Sequence, residues 1–218
     1  MIEWKKSSKL IPLRVAISSM ERRVIQIHKR MKSEQIWMLE HPHVYSGGTS
    51  SKKSHLISTP EIPVELTRRG GSYTYHGPGQ RVVYVMLDLR NQEKDVRKFV
   101  WNLEQWIIDS LDDLGIKGER RGNRIGIWIC SETNRNLVPC EKGEFKIASI
   151  GLRIKNWISY FGASINVNPD LKYFNGIIPC GNEGYGVTSI EQLGVDASLT
   201  ALDQALHNRF YPIFEKIH

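Results

Sequence analysis

The sequence predicts an α/β fold of the α+β kind, with strands in the middle of the chain and helices packed around them. Apolar residues recur at helical spacing near both ends and in the centre, and apolar, strand-like runs lie between these segments. No G-x-G-x-x-G motif opens a helix, which disfavours a doubly wound nucleotide-binding sheet. With 218 residues, of which 40% are hydrophobic, and no linker or repeat, we expect a single domain spanning residues 1–218.

The first half of the chain contains one predicted helix and two predicted strands. Apolar residues at helical spacing predict an amphipathic helix near residues 19–31. The run "QIWMLEH" then predicts a buried strand, which leads into the loop "PHVYSGGTSSKKSH". The run "QRVVYVMLDL" predicts a second strand, apolar enough to be covered on both faces.

The second half begins with a long predicted helix from Asp95 to Leu114, which Gly115 ends. Two further strands are predicted over "NRIGIWIC" and "FKIASIGLRI", with a long turn over "NRNLVPCEKGE" between them. The run "NWISYFGASINVN" follows closely and predicts a hairpin or meander, and a closing helix occupies the tail.

The charge balance is basic, with a formal net charge of +7 and a pI of about 9.3. Such a balance favours encounter with acidic partners, but the basic residues are scattered and equally fit solvated surfaces. No nucleic-acid motif, signal peptide or membrane-length apolar run is present, so we expect a cytoplasmic protein that binds neither nucleic acid nor membrane.

Three cysteines, Cys130, Cys140 and Cys180, are widely spaced and form no C-x-x-C pair. We therefore expect reduced thiols and no metal site. Cys180 stands between a proline and a glycine, which predicts a sharp turn with an outward thiol. That thiol is either a nucleophile or a small apolar residue in a loop. A nucleophilic thiol needs a nearby cation to favour its thiolate, and His76 and Lys146 are the candidates.

The segment "RRGGSYTYHGPGQ", residues 68–80, is rich in glycine. Gly70 and Gly71 let the backbone approach a ligand closely, and His76 precedes a tight Gly-Pro-Gly turn. The imidazole could be held near a reacting group. Alternatively, the glycines merely turn a hairpin and His76 caps it.

Lys146 lies within an apolar strand, where small residues and Gly151 leave space beside it. Pointing into a site, this lysine could favour a thiolate or move a proton; the alternative is an exposed lysine on an edge strand. The small residues Gly162 to Ser164 could form the wall of a narrow apolar slot, or simply allow close packing.

Taken in order, "RGGSYTYHGPGQ", "KIASIGLRI", "FGASINVN" and "PCGNEGYGVTSI" resemble the motifs of the octanoyltransferases of lipoate biosynthesis, and "LEHPHVYSGG" resembles an early loop of that family. The resemblance covers about residues 39–193. It implies the catalytic fold of biotin and lipoate protein ligases. It also implies transfer of an octanoyl group from acyl carrier protein to a lysine of lipoyl domains, in 2-oxoacid dehydrogenases and the glycine cleavage H protein.

The resemblance assigns roles residue by residue. It places the acyl-thioester on Cys180 and the lysine that lowers the pKa of this cysteine at Lys146, with His76 as possible catalytic support. The implied substrate-binding residues are Arg69, Gly70, Gly71, Ser72, Tyr73, Thr74, Tyr75, His76, Ser149, Ile150, Gly151, Gly162, Ala163 and Ser164. Passing from thioester to amide is downhill, so we expect neither ATP nor any other cofactor, and no metal.

Two departures from the family pattern stand out. Phe161 occupies the position where many members have a histidine, and Ser164 and Ile165 also differ from the usual residues. Ser72 replaces an acidic or polar residue, and the insert at 131–143 looks longer than usual.

Three other functions stay open from sequence. An ATP-dependent lipoate or biotin ligase would activate a free acid. An amidotransferase would take octanoyl from a carrier domain such as the H protein. A non-catalytic acyl-carrier-binding module would not need Cys180.

Overall fold

The computed structural model describes residues 1–58, 62–91, 94–133, 136–137, 140–178 and 184–214. Within these residues the larger sheet has seven strands in the order β1-β2-β6-β9-β8, and β7 and β10 both pair with β8. Its strands are β1 (Glu3–Lys6), β2 (Gln35–Leu39), β6 (Gln80–Met86), β7 (Ile127–Cys130), β8 (Glu144–Lys155), β9 (Ile158–Asn166) and β10 (Gly186–Val187).

The smaller sheet has the order β4-β3-β5. It contains β3 (Val44–Gly47), β4 (Val64–Leu66) and β5 (Tyr73–His76). Its side chains form an aromatic core with the short 3-10 helix Leu171–Gly176, made of Tyr45, Tyr73, Tyr75, Phe174 and Ile177. A tight turn joins β5 of this sheet directly to β6 of the larger one.

The β8–β9 hairpin confirms the meander that the sequence predicts. The strands pair antiparallel from Ala148↔Ile165 to Lys155↔Ile158. The turn residues Asn156 and Trp157 both have positive φ values, 53° and 59°, as a two-residue hairpin turn requires for its twist to match that of the strands.

Helices cover both faces of the larger sheet. α1 (Leu13–His28) packs on one face, and α2 (Val96–Asp112) and α3 (Leu199–Phe214) pack together on the other. The predicted α+β class is confirmed. None of the helices that the structure describes is long and apolar enough to cross a membrane.

The boundaries of α1 differ from the predicted helix near 19–31. The helix begins at Leu13, because Leu13 and Ala16 extend its buried stripe toward the N-terminus. It ends at His28, and Arg30 then adopts a positive φ of 57°. Met31, which the spacing placed on the buried face, is 67% exposed.

The long central helix confirms its prediction. The Asp95 carboxylate accepts hydrogen bonds from the backbone N–H of Arg97 at 2.8 Å and of Lys98 at 3.1 Å, which caps the N-terminus of α2. Gly115 follows the last turn with a φ of +77°, a conformation that suits glycine and ends the helix.

Candidate functional site

A cavity of about 40 Å³ lies on the face of the larger sheet that α1 covers. Three adjacent strands, β6, β9 and β8, form its floor. The floor consists of two neighbouring rows of paired residues, Val82–Ser164–Ser149 and Tyr84–Gly162–Gly151. The second row carries no side chain on β9 or β8, so the glycine-rich loop can approach the sheet closely at Gly151.

The smaller sheet and its flanking loop contribute the rest of the lining, together with Leu13 of α1 and Ser46 of β3. Most of the predicted substrate-binding residues meet here: Arg69, Gly71, Thr74, His76, Ser149, Ile150, Gly151, Gly162, Ala163 and Ser164. Three stretches that are distant in sequence therefore converge on one cavity.

The Arg69 guanidinium, 8% exposed, fixes the shape of the glycine-rich loop. Its Nη2 donates to the carbonyl oxygens of Ser46 and Ser72, at 2.5 Å and 2.9 Å. Its Nη1 donates to the carbonyl of Gly70 at 2.9 Å, and its Nε donates to the Ser46 hydroxyl at 3.1 Å. The planar donor fork suits such multiple contacts, so the loop keeps its conformation through its own arginine.

The same loop lies directly against β8. The Gly70 N–H donates to the Leu152 carbonyl at 2.8 Å. A Cβ on Gly151 would lie 3.2 Å from the Gly70 carbonyl oxygen and 3.1 Å from Arg69 Cδ. The close approach of loop and sheet thus depends on the missing side chain at Gly151.

A buried histidine, His41, supports Tyr84 in the cavity floor. His41 Nδ1 lies 2.5 Å from the Ile11 carbonyl, which can only accept, so Nδ1 carries the proton. His41 Nε2 then accepts from the Tyr84 hydroxyl at 2.6 Å. Burial lowers the pKa of His41 to about 4, so the ring is neutral near pH 7.

His76 belongs to a second chain of hydrogen bonds. Gln80 Nε2 donates to the Tyr75 carbonyl at 3.1 Å and to Asn166 Oδ1 at 2.9 Å, which leaves its Oε1 to accept from His76 Nδ1 at 2.6 Å. Burial lowers the pKa of His76 to about 3. The imidazole is therefore neutral near pH 7, with the lone pair on Nε2, and can accept a hydrogen bond.

Four predicted residues do not line the cavity: Gly70, Ser72, Tyr73 and Tyr75. The Ser72 hydroxyl lies 2.9 Å from His55 Nδ1. Tyr73 and Tyr75 belong to the aromatic core of the smaller sheet. Their predicted contact with substrate stays a prediction.

Lys146 is 5% exposed and lies on β8, in the part of this strand that pairs with β7 and β10. Because β8 pairs with β7 on one side and β10 on the other, it is not an edge strand here. The Nζ atom lies 4.8 Å from the centroid of the Trp128 ring. A Cβ on Gly126 would lie 2.6 Å from Lys146 Cε. The lysine stem thus fills a buried chamber bounded by Gly126 and Trp128, and it does not line the cavity itself.

The carboxylate of Glu104, on α2, lies close enough to Lys146 for the two charges to interact. Burial raises the pKa of Glu104, while the hydrogen bond from the Gly126 N–H and the charges of Arg120 and Lys146 act in the opposite direction. Glu104 Oε1 accepts from Gly126 N at 3.0 Å. The carboxylate therefore holds the backbone against which the lysine packs.

Cys180 lies outside the described residues, so its predicted role stays a prediction. On one side of its segment, the Ile178 N–H donates to the His55 carbonyl at 2.9 Å. On the other side the chain returns as β10, where Val187 pairs with Lys146 and the Thr188 N–H donates to the Lys146 carbonyl at 3.0 Å. The chain that follows Cys180 is thus bound to the strand that carries Lys146.

Among the described residues, no group of three or more His, Cys, Asp or Glu side chains could hold a metal ion. Cys130 and Cys140 are both partly exposed.

Comparison with known proteins agrees with this geometry. The sequence model of the lipoyl protein ligase A/B catalytic domain matches residues 14–211. The chain belongs to this family. A protein named octanoyltransferase from Jannaschia sp. is 48% identical, over 98% of this chain and 99% of its own length. An octanoyltransferase from Bartonella bacilliformis is 45% identical, over 98% and 88% of the two chains. The chain therefore belongs with the octanoyltransferases, a group of acyltransferase enzymes.

Solved structures confirm the ligase-like fold. A bipartite lipoate protein ligase from Thermoplasma acidophilum superposes with a TM-score of 0.71 at 15% identity, covering 99% of this chain and 85% of that one. A lipoate-protein ligase A bound with ATP gives a TM-score of 0.67 at 16% identity, covering 98% and 86%. At such identities the likeness is one of fold alone.

Sequence reasoning missed several residues of this candidate site and its surroundings: Leu13, Ser46, Val82, Tyr84, His41 and Trp128. Tyr84 and Trp128 lie inside apolar strand runs, where their side chains look like ordinary core. His41 and Ser46 both lie in the early loop "LEHPHVYSGG", which carries part of the resemblance, so these two residues had a usable signal. Leu13 enters from α1 through tertiary packing alone.

The two neutral histidines predict loss of stability in mild acid. Both have folded pKa values, about 4 and about 3, below the ordinary unfolded value of about 6.5. Below pH 6.5 the unfolded chain binds protons that the folded chain does not, so each histidine lowers the unfolding free energy by about 1.4 kcal/mol per pH unit as pH falls toward its folded pKa. Denaturant unfolding between pH 7 and pH 5 measures this slope.

The variant His41→Gln isolates one contribution, because an amide can still donate to Ile11 and accept from Tyr84. Its unfolding free energy should fall less steeply with acid than that of the wild type, and the exposed-residue variant His28→Gln serves as the control. Asp88 and Glu144 have lowered pKa values and titrate below this range, whereas Glu104 opposes the trend. An identical slope in His41→Gln and the wild type would contradict the assignment.

Proposed function

We propose that this protein transfers an octanoyl group from octanoyl-acyl carrier protein to a specific lysine of lipoyl domains, through an acyl-thioester on Cys180. The observation that carries the proposal is the near full-length match to octanoyltransferases at 45% to 48% identity. The convergence of the predicted substrate-binding stretches on one cavity supports it.

The cavity lining has the chemistry that a saturated acyl chain attached to a polar reacting group requires. At about 40 Å³ the cavity is smaller than an octanoyl chain, so the proposal requires it to widen when the chain binds. Its lining combines apolar side chains such as Val82 and Phe161 with hydroxyls and the neutral imidazole of His76. A saturated chain offers no polar handle, so apolar walls bind it, and a few polar groups orient the thioester. The acceptor class follows the likeness to lipoate ligases, one of which was solved with its E2 lipoyl domain.

In the first half-reaction the Cys180 thiolate attacks the carbonyl carbon of the octanoyl thioester. A new C–S bond forms, the old one breaks, and the carrier's thiol leaves after taking a proton. The Lys146 ammonium would favour the thiolate, because a cation nearby lowers the pKa of a thiol. Lys146 lies in a buried chamber, where its charge is screened less than at the surface.

In the second half-reaction the neutral amine of the acceptor lysine attacks the enzyme thioester. The amide C–N bond forms, the C–S bond to Cys180 breaks, and one proton passes from the amine to the leaving sulfur. His76 is a candidate to hold or orient this amine, because its Nε2 carries a lone pair. Both half-reactions conserve the acyl group, so neither needs ATP.

The basic surface supports the choice of partners. The net charge of +7 favours encounter with acidic proteins, and acyl carrier proteins and lipoyl domains are expected to be acidic.

Intact-mass analysis tests the proposal directly. After mixing the protein with octanoyl-acyl carrier protein in the absence of ATP, we expect the mass to rise by one octanoyl group. Hydroxylamine should reverse the gain, because it cleaves thioesters. Peptide mapping should place the adduct on Cys180, with Cys130 and Cys140 in the same digest as internal controls.

Other results would redirect the assignment. An adduct that forms only with free octanoate and ATP would indicate a ligase. An adduct that forms from the octanoylated H protein and not from the acyl carrier protein would indicate an amidotransferase. Binding of the carrier without any adduct would indicate a non-catalytic module.

A further inference from the structure

Phe161 has an unusual backbone conformation for a large aromatic residue. Its φ is +62°, in the left-handed region where a bulky side chain is strained. It lies inside β9, away from any turn. Such strain persists only where the surrounding structure imposes it, and it is a reason to look for a function.

The conformation changes the face on which the ring lies. Side chains alternate between the two faces of a strand, and Ala163 and Ile165 pack in the core that faces α2 and α3. By that alternation Phe161 would join them. It packs instead with Tyr160 in the core that faces α1, where the two rings stack at 5.2 Å. The positive φ thus turns the Phe161 ring toward the cavity.

The ring lies where the cavity floor has no side chains. Phe161 lines the cavity next to Gly162 and contacts Tyr84 edge to face, with 6.1 Å between the ring centroids. It is 3% exposed. Gly162 and Gly151 face each other across β9 and β8. A Cβ on Gly151 would lie 3.1 Å from Arg69 Cδ, so the glycine-rich loop covers this part of the sheet. The Phe161 and Tyr84 rings bound the cavity beside that loop.

We propose that Phe161 sets the length of the acyl chain that the cavity accepts, by closing the cavity on the side where its ring meets Tyr84. The inference rests on the proposed function and adds the residue that decides chain length. A saturated chain can be measured only by steric fit, and one methylene too many in a closed apolar pocket is worth about 10- to 200-fold in discrimination. A rigid ring, held on both sides by Tyr84 and Tyr160, provides such a stop.

The test uses Phe161→Gly and a series of acyl-carrier donors from six to about fourteen carbons. Glycine adopts a φ near +60° without strain, so the fold is retained while the ring is removed. The rate of adduct formation on Cys180 is measured by intact mass for each donor. We expect the ratio of dodecanoyl to octanoyl acylation to rise about tenfold or more.

Asn156→Gly provides the matched control. Asn156 also has a positive φ, 53°, but lies exposed in the β8–β9 turn. This variant relieves the same kind of backbone conformation without touching the cavity, and its chain-length ratio should equal that of the wild type. Phe161→Leu, which keeps an apolar side chain in the core, should give an intermediate ratio.

The outcomes separate this inference from the proposed function. A wild type that takes octanoyl, with Phe161→Gly and Phe161→Leu keeping the wild-type ratio, overturns the role of Phe161 and leaves the function standing. An equal rise in Asn156→Gly also overturns it. A wild type that takes no acyl group from any carrier refutes the proposed function, and the inference falls with it.

Discussion

Replacing Cys180 by alanine is expected to lower the rate of octanoyl transfer about a thousandfold or more, because the proposed chemistry has no other nucleophile for the thioester. The change removes one sulfur atom and leaves the cavity residues untouched. Transfer to a purified lipoyl domain, followed by mass spectrometry under single-turnover conditions, measures the loss.

Cys130→Ala and Cys140→Ala are the matched controls, since both remove a partly exposed cysteine sulfur elsewhere in the chain. Each should retain transfer within a fewfold of the wild-type rate. Cys180→Ser should accept an acyl group slowly, as an ester that resists mild hydroxylamine. Transfer by Cys180→Ala within tenfold of the wild type would refute the covalent mechanism.

Lys146→Met is expected to slow formation of the Cys180 adduct by about a hundredfold to ten-thousandfold, the range that proton transfer and charge stabilisation by one group supply. Methionine fills the chamber with an unbranched, apolar chain but lacks the charge. Removing one partner of a buried charge pair can destabilise a fold, but Glu104 keeps its ion pair with Arg120 at 3.4 Å. We therefore expect the loss in the rate to exceed any loss in the unfolding free energy, which is measured beside it.

Two measurements separate a charge effect from a packing effect. Alkylation of Cys180 by iodoacetamide at pH 7 reports its thiolate, and should slow in Lys146→Met together with acyl transfer. Lys155→Met, at the exposed end of the same strand, should change neither rate. Equal alkylation rates in Lys146→Met and the wild type would contradict a role of Lys146 in favouring the thiolate.

The elements that the sequence predicted well are those with a strong local pattern. α2 has a long apolar stripe, an aspartate at its N-cap and Gly115 just after its end. Both of its boundaries are therefore marked by residues within or next to the helix. The β8–β9 hairpin was predictable because two apolar runs lie on either side of a short turn. α1 was harder to place, since Leu13 and Ala16 take their burial from the sheet and not from a local signal.

In the candidate site, too, residues with a local sequence pattern were predictable, and residues placed by long-range contacts were not. Its glycine and small residues were predictable, because close backbone approach excludes side chains at Gly151 and Gly162. The His41–Tyr84 hydrogen bond joins residues 43 positions apart, so no local sequence pattern predicts it. The direction of the Phe161 ring depends on one backbone angle inside a strand, which alternation alone predicts wrongly. The charge environment of Lys146 depends on α2, far away in sequence.

The register of the β8–β9 ladder fixes which side chains face the site. Lys146, Ser149 and Gly151 lie on β8. Ser149 pairs with Ser164 of β9, and Gly151 pairs with Gly162. Inserting or deleting one residue between Lys146 and Ser149 would move every later side chain to the opposite face. Residues 131–143 connect β7 to β8 and precede these paired residues. We therefore expect an inserted or deleted residue to be tolerated in a loop of this enzyme, and to abolish activity within the ladder, where substitution is the smaller change.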